Sequence, residues 1–203
     1  MKIVAKHDIL SAGRFAKSDA WVEACREVDA AIRATDWPHG TGEFLIYPES
    51  GKKRGEGNGV VPIKKPCLEY LNARCWNLES FPDMEDAPIR TGDLDALKQT
   101  SAGWIGFEWE TGNVSSSHRA INKLLLTFLK GGLVGGFLAV PSNDLKPYLT
   151  DRIGNVGGLE PYFELWSAVP VTNAALRIVV VEHDGVSKAV PRIPKGRDGR
   201  ALG

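Results

Sequence analysis

Trp21, Val22, Cys25, Val28 and Ile32 recur at helical spacing, which predicts an amphipathic helix over about 18–34 with Ser18 as its N-cap. The run from Trp37 to Gly40 stops it. Phe44, Leu45, Ile46 and Tyr47 predict a strand over 42–47. The segment 49–60 is rich in glycine and reads as a mobile loop, and a short helix is expected after Pro66, over 67–71. The acidic, proline-containing segment 80–90 reads as a surface connection.

The clearest pattern follows. Alternation over 92–97, a turn over 100–103 and a second alternating run over 104–110 predict a β-hairpin. Ile121, Leu124, Leu125, Phe128 and Leu129 predict a helix over about 116–130, ended by Gly131 and Gly132. A buried strand is expected over 137–141, short helices over 144–152 and 158–166, and a last β-branched strand over 176–181. This order predicts an α/β fold with a mixed central sheet flanked by helices, in a single domain over 1–203.

Length and composition fit that picture. The chain has 203 residues and a hydrophobic fraction of 43%, enough for one well-buried core. No apolar run is long enough to span a bilayer, and the opening residues carry no long apolar stretch of the secretory kind. A soluble cytoplasmic protein with no membrane partner is expected. The three cysteines, Cys25, Cys67 and Cys75, lack metal-ligand spacing and fit reduced thiols.

The charges balance at zero net, so distribution matters more than the sum. Between Gly51 and Lys65 stand Lys52, Lys53, Arg54, Lys64 and Lys65 against Glu56 alone. Between Glu79 and Asp95 stand six acids against Arg90. Between Lys188 and Arg200 five bases face Asp198. An acidic centre lies between two basic segments, as in a cation site flanked by polyanion-binding arms, or in ordinary solvated loops.

On the second hairpin strand Ile105, Phe107 and Trp109 share one face, and Glu108 and Glu110 the other. Asp93 and Asp95 share a face of the first. Carboxylates gathered by a tight hairpin repel one another unless a hard cation neutralises them. Mg²⁺ accepts one or two carboxylates with water and phosphate oxygens, and can activate water for attack on a phosphodiester. The small polar stretch from Thr111 to Arg119 leads into a helix N-terminus, which favours a phosphate.

The run Gly92-Asp93-Leu94-Asp95-Ala96-Leu97-Lys98, then Ile105-Gly106-Phe107-Glu108-Trp109-Glu110, then Arg119 and an apolar helix, resembles the nuclease core of the PD-(D/E)xK superfamily. Within it the run is most similar to type II restriction endonucleases of the BglII, BstYI and BamHI group, over about 92–140. The resemblance implies a restriction-endonuclease-like fold and a homodimeric, Mg²⁺-dependent enzyme that cuts double-stranded DNA at a specific sequence. It places Asp95 at the motif aspartate, with Asp93 the runner-up, and assigns the metal to Asp95, Glu108 and the Trp109 carbonyl. Asp95, Glu108 and Glu110 become the catalytic set. Glu110 departs from the superfamily's usual lysine, which leaves open whether it orients the attacking water. Thr111, Gly112, Asn113, Ser116, His118 and Arg119 are carried over as DNA contacts. Lys52, Lys53 and Arg54 become backbone contacts. Asn113 also reads as a turn residue, Arg119 as a solvated helix position, and Glu69 or Glu79 as an extra metal ligand.

Other classes find little support. The four histidines share no metal spacing, and no phosphate-binding or dinucleotide glycine motif occurs. Ser115-Ser116-Ser117-His118 is too local to form a nucleophilic triad. Two alternatives stay open within the resemblance: a non-specific nuclease of defence or repair, and a catalytically silent DNA-binding protein of the same fold.

Overall fold

The computed structural model describes residues 1–53, 56–83, 92–150 and 153–195. The predicted first helix forms as α1 (Asp19–Arg33), with the Ser18 hydroxyl accepting from the Trp21 N–H. The hairpin forms as β4 (Leu94–Thr100) and β5 (Gly103–Trp109), and the following helix as α3 (Val114–Leu129). β6 (Gly135–Pro141) and β7 (Ala174–Glu182) are the next two buried strands.

Several elements differ from the sequence expectation. β1 (Lys2–Ala12) is a long strand that periodicity did not mark. It is a sheet edge, much of it part-exposed or exposed, so it carries little apolar alternation. α2 (Val61–Asn72) begins well before Pro66. Pro62 sits in its first turn, where no N–H is needed, and Pro66 is carried inside the helix. The chain then enters β3 (Asn77–Ser80), which lies between the expected helix and the expected connection and takes in only the first residue of the latter. The strand expected over 42–47 shrinks to β2 (Leu45–Ile46), which pairs in parallel with β8 (Gly185–Val186). Only a 3-10 turn (Lys146–Tyr148) stands in 144–152 among the described residues. The 158–166 helix is broken into α4 (Val156–Leu159), a 3-10 turn and α5 (Phe163–Ser167).

Six strands make one mixed sheet in the order β1-β7-β6-β5-β4-β3. Its centre, β5-β6-β7, is parallel and its outer pairs are antiparallel. The parallel step from β5 to β6 requires a crossover, and α3 supplies it. Ile121, Leu124, Leu125 and Phe128 of α3 pack with Leu138, Ile178 and Val180 on one face. Trp21, Val28 and Ile32 of α1 and Ile63, Cys67 and Leu71 of α2 pack with Phe107, Phe137 and Val179 on the other. Each such side chain contributes about 1.5–3 kcal/mol on burial, so both layers are firmly anchored to the sheet.

The described part of 49–60 is not the mobile loop expected. Asn58 is fully buried; its amide donates to the Tyr47 and Tyr148 carbonyls at 2.9 and 2.8 Å and accepts from the Ile193 N–H at 3.2 Å. Backbone presses on backbone around it. A Cβ on Gly51 would lie 1.5 Å from the Leu149 carbonyl oxygen, and one on Gly59 1.8 Å from that of Pro194. Here glycine provides close approach, not freedom. Glu49 adds bonds to Gly57 N–H and Arg192, and Lys195 donates to the Glu56 carbonyl.

Candidate active site

The β4–β5 ladder runs from Thr100↔Gly103 to Ala96↔Phe107 and stops there. The next pair would be Asp95 and Glu108. Instead the strands part, and the Asp95 carboxylate takes the place of a backbone acceptor: Trp109 N–H donates to its Oδ2 at 2.8 Å. An extended residue turns its N–H and C=O toward the same neighbour, so the Trp109 carbonyl faces this gap as well.

A lysine enters from each side of the sheet. Lys64 of α2 donates to Asp95 Oδ1 at 2.9 Å. Lys123 of α3 forms an ion pair with Glu108 Oε1 and donates to the Asp93 carbonyl at 2.6 Å. Neither lysine was a site candidate in the sequence, where Lys64 counted only as part of a basic segment. Their partners are supplied by tertiary packing, and the one local signal is that Lys123 interrupts the buried stripe of Ala120 and Thr127.

The electrostatics are those of crowded acids. Glu108 is 4% exposed, and burial pushes its pKa up to about 7, with Asp95 and Glu110 adding to the rise and Lys123 opposing it. Burial also raises Glu110, again helped by Asp95 and opposed by Arg119, Lys64 and the Gly112 N–H. Burial works against the charge of Lys64, but Asp95, with Glu110 and Glu108 behind it, holds its pKa above the ordinary value. The three carboxylates therefore share one region, and at Glu108 and Glu110 the nearby Lys64, Lys123 and Arg119 do not offset the effect of burial.

The donors gathered here are hard oxygens, the kind a divalent ion takes. Among the described residues no three histidine, cysteine or acidic side chains form a ready-made metal cage. Asp95, Glu108 and the Trp109 carbonyl would supply the few protein oxygens that Mg²⁺ requires, leaving its other positions to water and phosphate. Asp93 offers its backbone carbonyl to Lys123. Glu69 is exposed and lies 3.9 Å from Lys65. Glu79 is exposed on β3 at a φ of 46°, between residues paired with Ala96 and Leu94 of β4.

The other candidates spread along the next turn. Thr111 is buried. A Cβ on Gly112 would stand 3.2 Å from Glu110 Oε2, so the chain passes close behind that acid. Asn113 is the N-cap of α3 and accepts from Ser116 N–H at 3.0 Å, the turn role foreseen beside base contact. Arg119 is exposed and in electrostatic reach of Glu110. His118 stands in an aromatic cluster, 4.5 Å from the Tyr162 ring and 5.4 Å from that of Trp166. Lys52 and Lys53 are exposed. Arg54 lies outside the described residues.

The model of the family described as "Restriction endonuclease BamHI" matches residues 1–200. The chain belongs to the BamHI restriction endonuclease family. It is thus a type II, site-specific deoxyribonuclease. Type II restriction enzyme OkrAI of Oceanobacter kriegii is 46% identical over 176 residues, which is 87% of this chain and 88% of that protein. Type II restriction enzyme BamHI of Bacillus amyloliquefaciens is 34% identical over 183 residues, 87% of this chain and 82% of that protein. The fold is that of the BglII restriction endonuclease crystallised with a DNA 16-mer, at a TM-score of 0.63 and 12% identity, covering 95% and 88% of the two chains. Family membership thus reaches well beyond the 92–140 core in which the motif was recognised. Type II restriction enzymes of this fold are generally metal-dependent. Among the described residues no helix is long and apolar enough to cross a membrane.

Proposed function

We propose that this BamHI-family enzyme acts as a homodimer and uses Mg²⁺ to hydrolyse both strands of double-stranded DNA, leaving 5′-phosphate and 3′-hydroxyl ends. The observation that carries this reading is the parting of β4 and β5, where Asp95, Glu108 and Glu110 come together. Asp95, Glu108 and the Trp109 carbonyl hold the ion, which when bound lowers the pKa of water and offsets charge building on the phosphate. Glu110 orients the attacking water. Among the described residues no lysine forms an ion pair with it, and burial makes it a stronger proton acceptor than an ordinary carboxylate. Arg119, Ser116 and the start of α3 face a phosphate, as a helix N-terminus and a cation favour. Thr111, Gly112 and Asn113 pass near the base edges, and Lys52, Lys53 and Arg54 meet the backbone. His118 shapes the α3–α5 packing that supports this surface.

Cutting two strands of a palindrome needs two sites related by a two-fold axis, which is the argument for a homodimer. The three cysteines are all free, in keeping with the cytoplasm.

Plasmid cleavage tests the reading. Discrete fragments in Mg²⁺, none in EDTA and none with Glu108→Ala are expected, and sequencing the fragment ends gives the site. A smear would indicate a non-specific nuclease, no cleavage a silent DNA binder, and cleavage by Glu108→Ala would overturn the metal assignment.

A further inference from the structure

Lys123 is a lysine in the wrong place for stability alone. Its side chain is 14% exposed and its partner Glu108 5% exposed. Ala120 and Thr127, one turn away on either side, are buried, and so are Ile121 and Leu124 beside it. An apolar side chain of similar volume would suit such a site, because a buried ion pair seldom stabilises more than well-packed hydrophobic residues.

What the ammonium does is geometric. It holds Glu108 Oε1 from β5 and the Asp93 carbonyl from the chain entering β4. These groups lie on opposite banks of the gap where the ladder stops. Across the same gap Asp95 holds Trp109 N–H. Lys123 is itself fixed, because α3 is capped by Asn113, closed by Gly131 at a φ of 76° and packed along its apolar face. Lys123 meets the Glu108 carboxylate at Oε1, and among the described residues no second ion pair of Glu108 is seen.

We infer that Lys123 is a positioning residue for DNA cleavage: by tying Glu108 Oε1 to the Asp93 carbonyl it sets the width of the gap and presents the second Glu108 oxygen to the metal. This rests on the assignment of Glu108 as a metal ligand. Partners that orient a ligand typically change metal affinity 10–100-fold when removed. A lysine acting only as a nearby charge gives the opposite sign, since removing a cation beside a metal site tightens metal binding.

Mn²⁺ binding to the full-length protein, read by electron paramagnetic resonance without DNA, separates these cases. Lys123→Met is expected to weaken Mn²⁺ binding about 10–100-fold and lower kcat on plasmid DNA similarly. KM and DNA binding in EDTA stay at wild-type values, and Lys123→Arg recovers most of the loss. Unchanged or tighter Mn²⁺ binding by Lys123→Met overturns the inference. Should that variant not fold, Lys123→Gln takes its place with the same expected loss. Glu108→Gln is carried alongside. Wild-type Mn²⁺ affinity there removes the assignment of Glu108, whereas loss there with retention in Lys123→Met removes only the role of Lys123.

Discussion

Replacing Glu108 with glutamine should stabilise the metal-free protein, although it removes a proposed metal ligand. Glutamine keeps the size of the side chain and an oxygen for Lys123, and removes the buried negative charge. The pKa of Glu108 stands at about 7 against an ordinary 4.5, and the Lys123 ammonium is already included in that balance. Because the folded value is the higher one, folding takes up a proton between the two. Stability from this group is complete below about pH 4.5 and is lost as pH rises through 7. At about 1.4 kcal/mol per unit the loss is about 3 kcal/mol at pH 8. For a chain of this size that corresponds to roughly 6–12 °C in Tm. Thermal melts by circular dichroism in EDTA, from pH 5 to pH 8, would read it. Glu108→Gln should melt above wild type at pH 8, with the gap closing toward pH 5. Since other titrating groups are common to both proteins, they cancel in the difference. A variant that melts at or below wild type at pH 8 would refute the reasoning.

Three further outcomes follow from the same geometry. Asp95→Ala should abolish cleavage, retain DNA binding in EDTA, and lose about 1–3 kcal/mol because Trp109 N–H is left unpaired, whereas Asp95→Asn should be inactive yet closer to wild type in its melt. Replacing Lys52, Lys53 and Arg54 together with alanine should flatten the slope of log K against log salt by about 0.9 for each phosphate contact removed, and an unchanged slope in gel-shift titrations would exclude the segment from the interface. Gly51→Ala should lower the melting temperature sharply, since a Cβ 1.5 Å from the Leu149 oxygen forces the backbone apart; a melt equal to wild type would contradict that packing.

The acidic hairpin was legible because strand alternation is local: Phe107 and Trp109 mark the core face, and Glu108 stands out against them. The lysines were not, because Lys64 and Asp95 are 31 residues apart and meet only once α2 lies against the sheet. The glycines of 49–60 were misread for a related reason. Sequence registers that Gly51 and Gly59 have no side chain, and the folded chain decides whether that gives mobility or close contact. α2 was entered too late because Pro66 read as the point before its start, whereas the helix carries Pro66 inside it and begins at Val61. β1 escaped because an edge strand needs little hydrophobic patterning to hold its place.

The glycine-lined ledge around Asn58 has a consequence for affinity. Lys52 and Lys53 project from a stretch bracketed by main-chain contacts to 147–149 and 193–194 before any nucleic acid arrives. If Lys52 and Lys53 meet phosphates as proposed, the bracketing residues have already surrendered chain entropy during folding, and more of each contact would remain as binding energy than a flexible arm keeps.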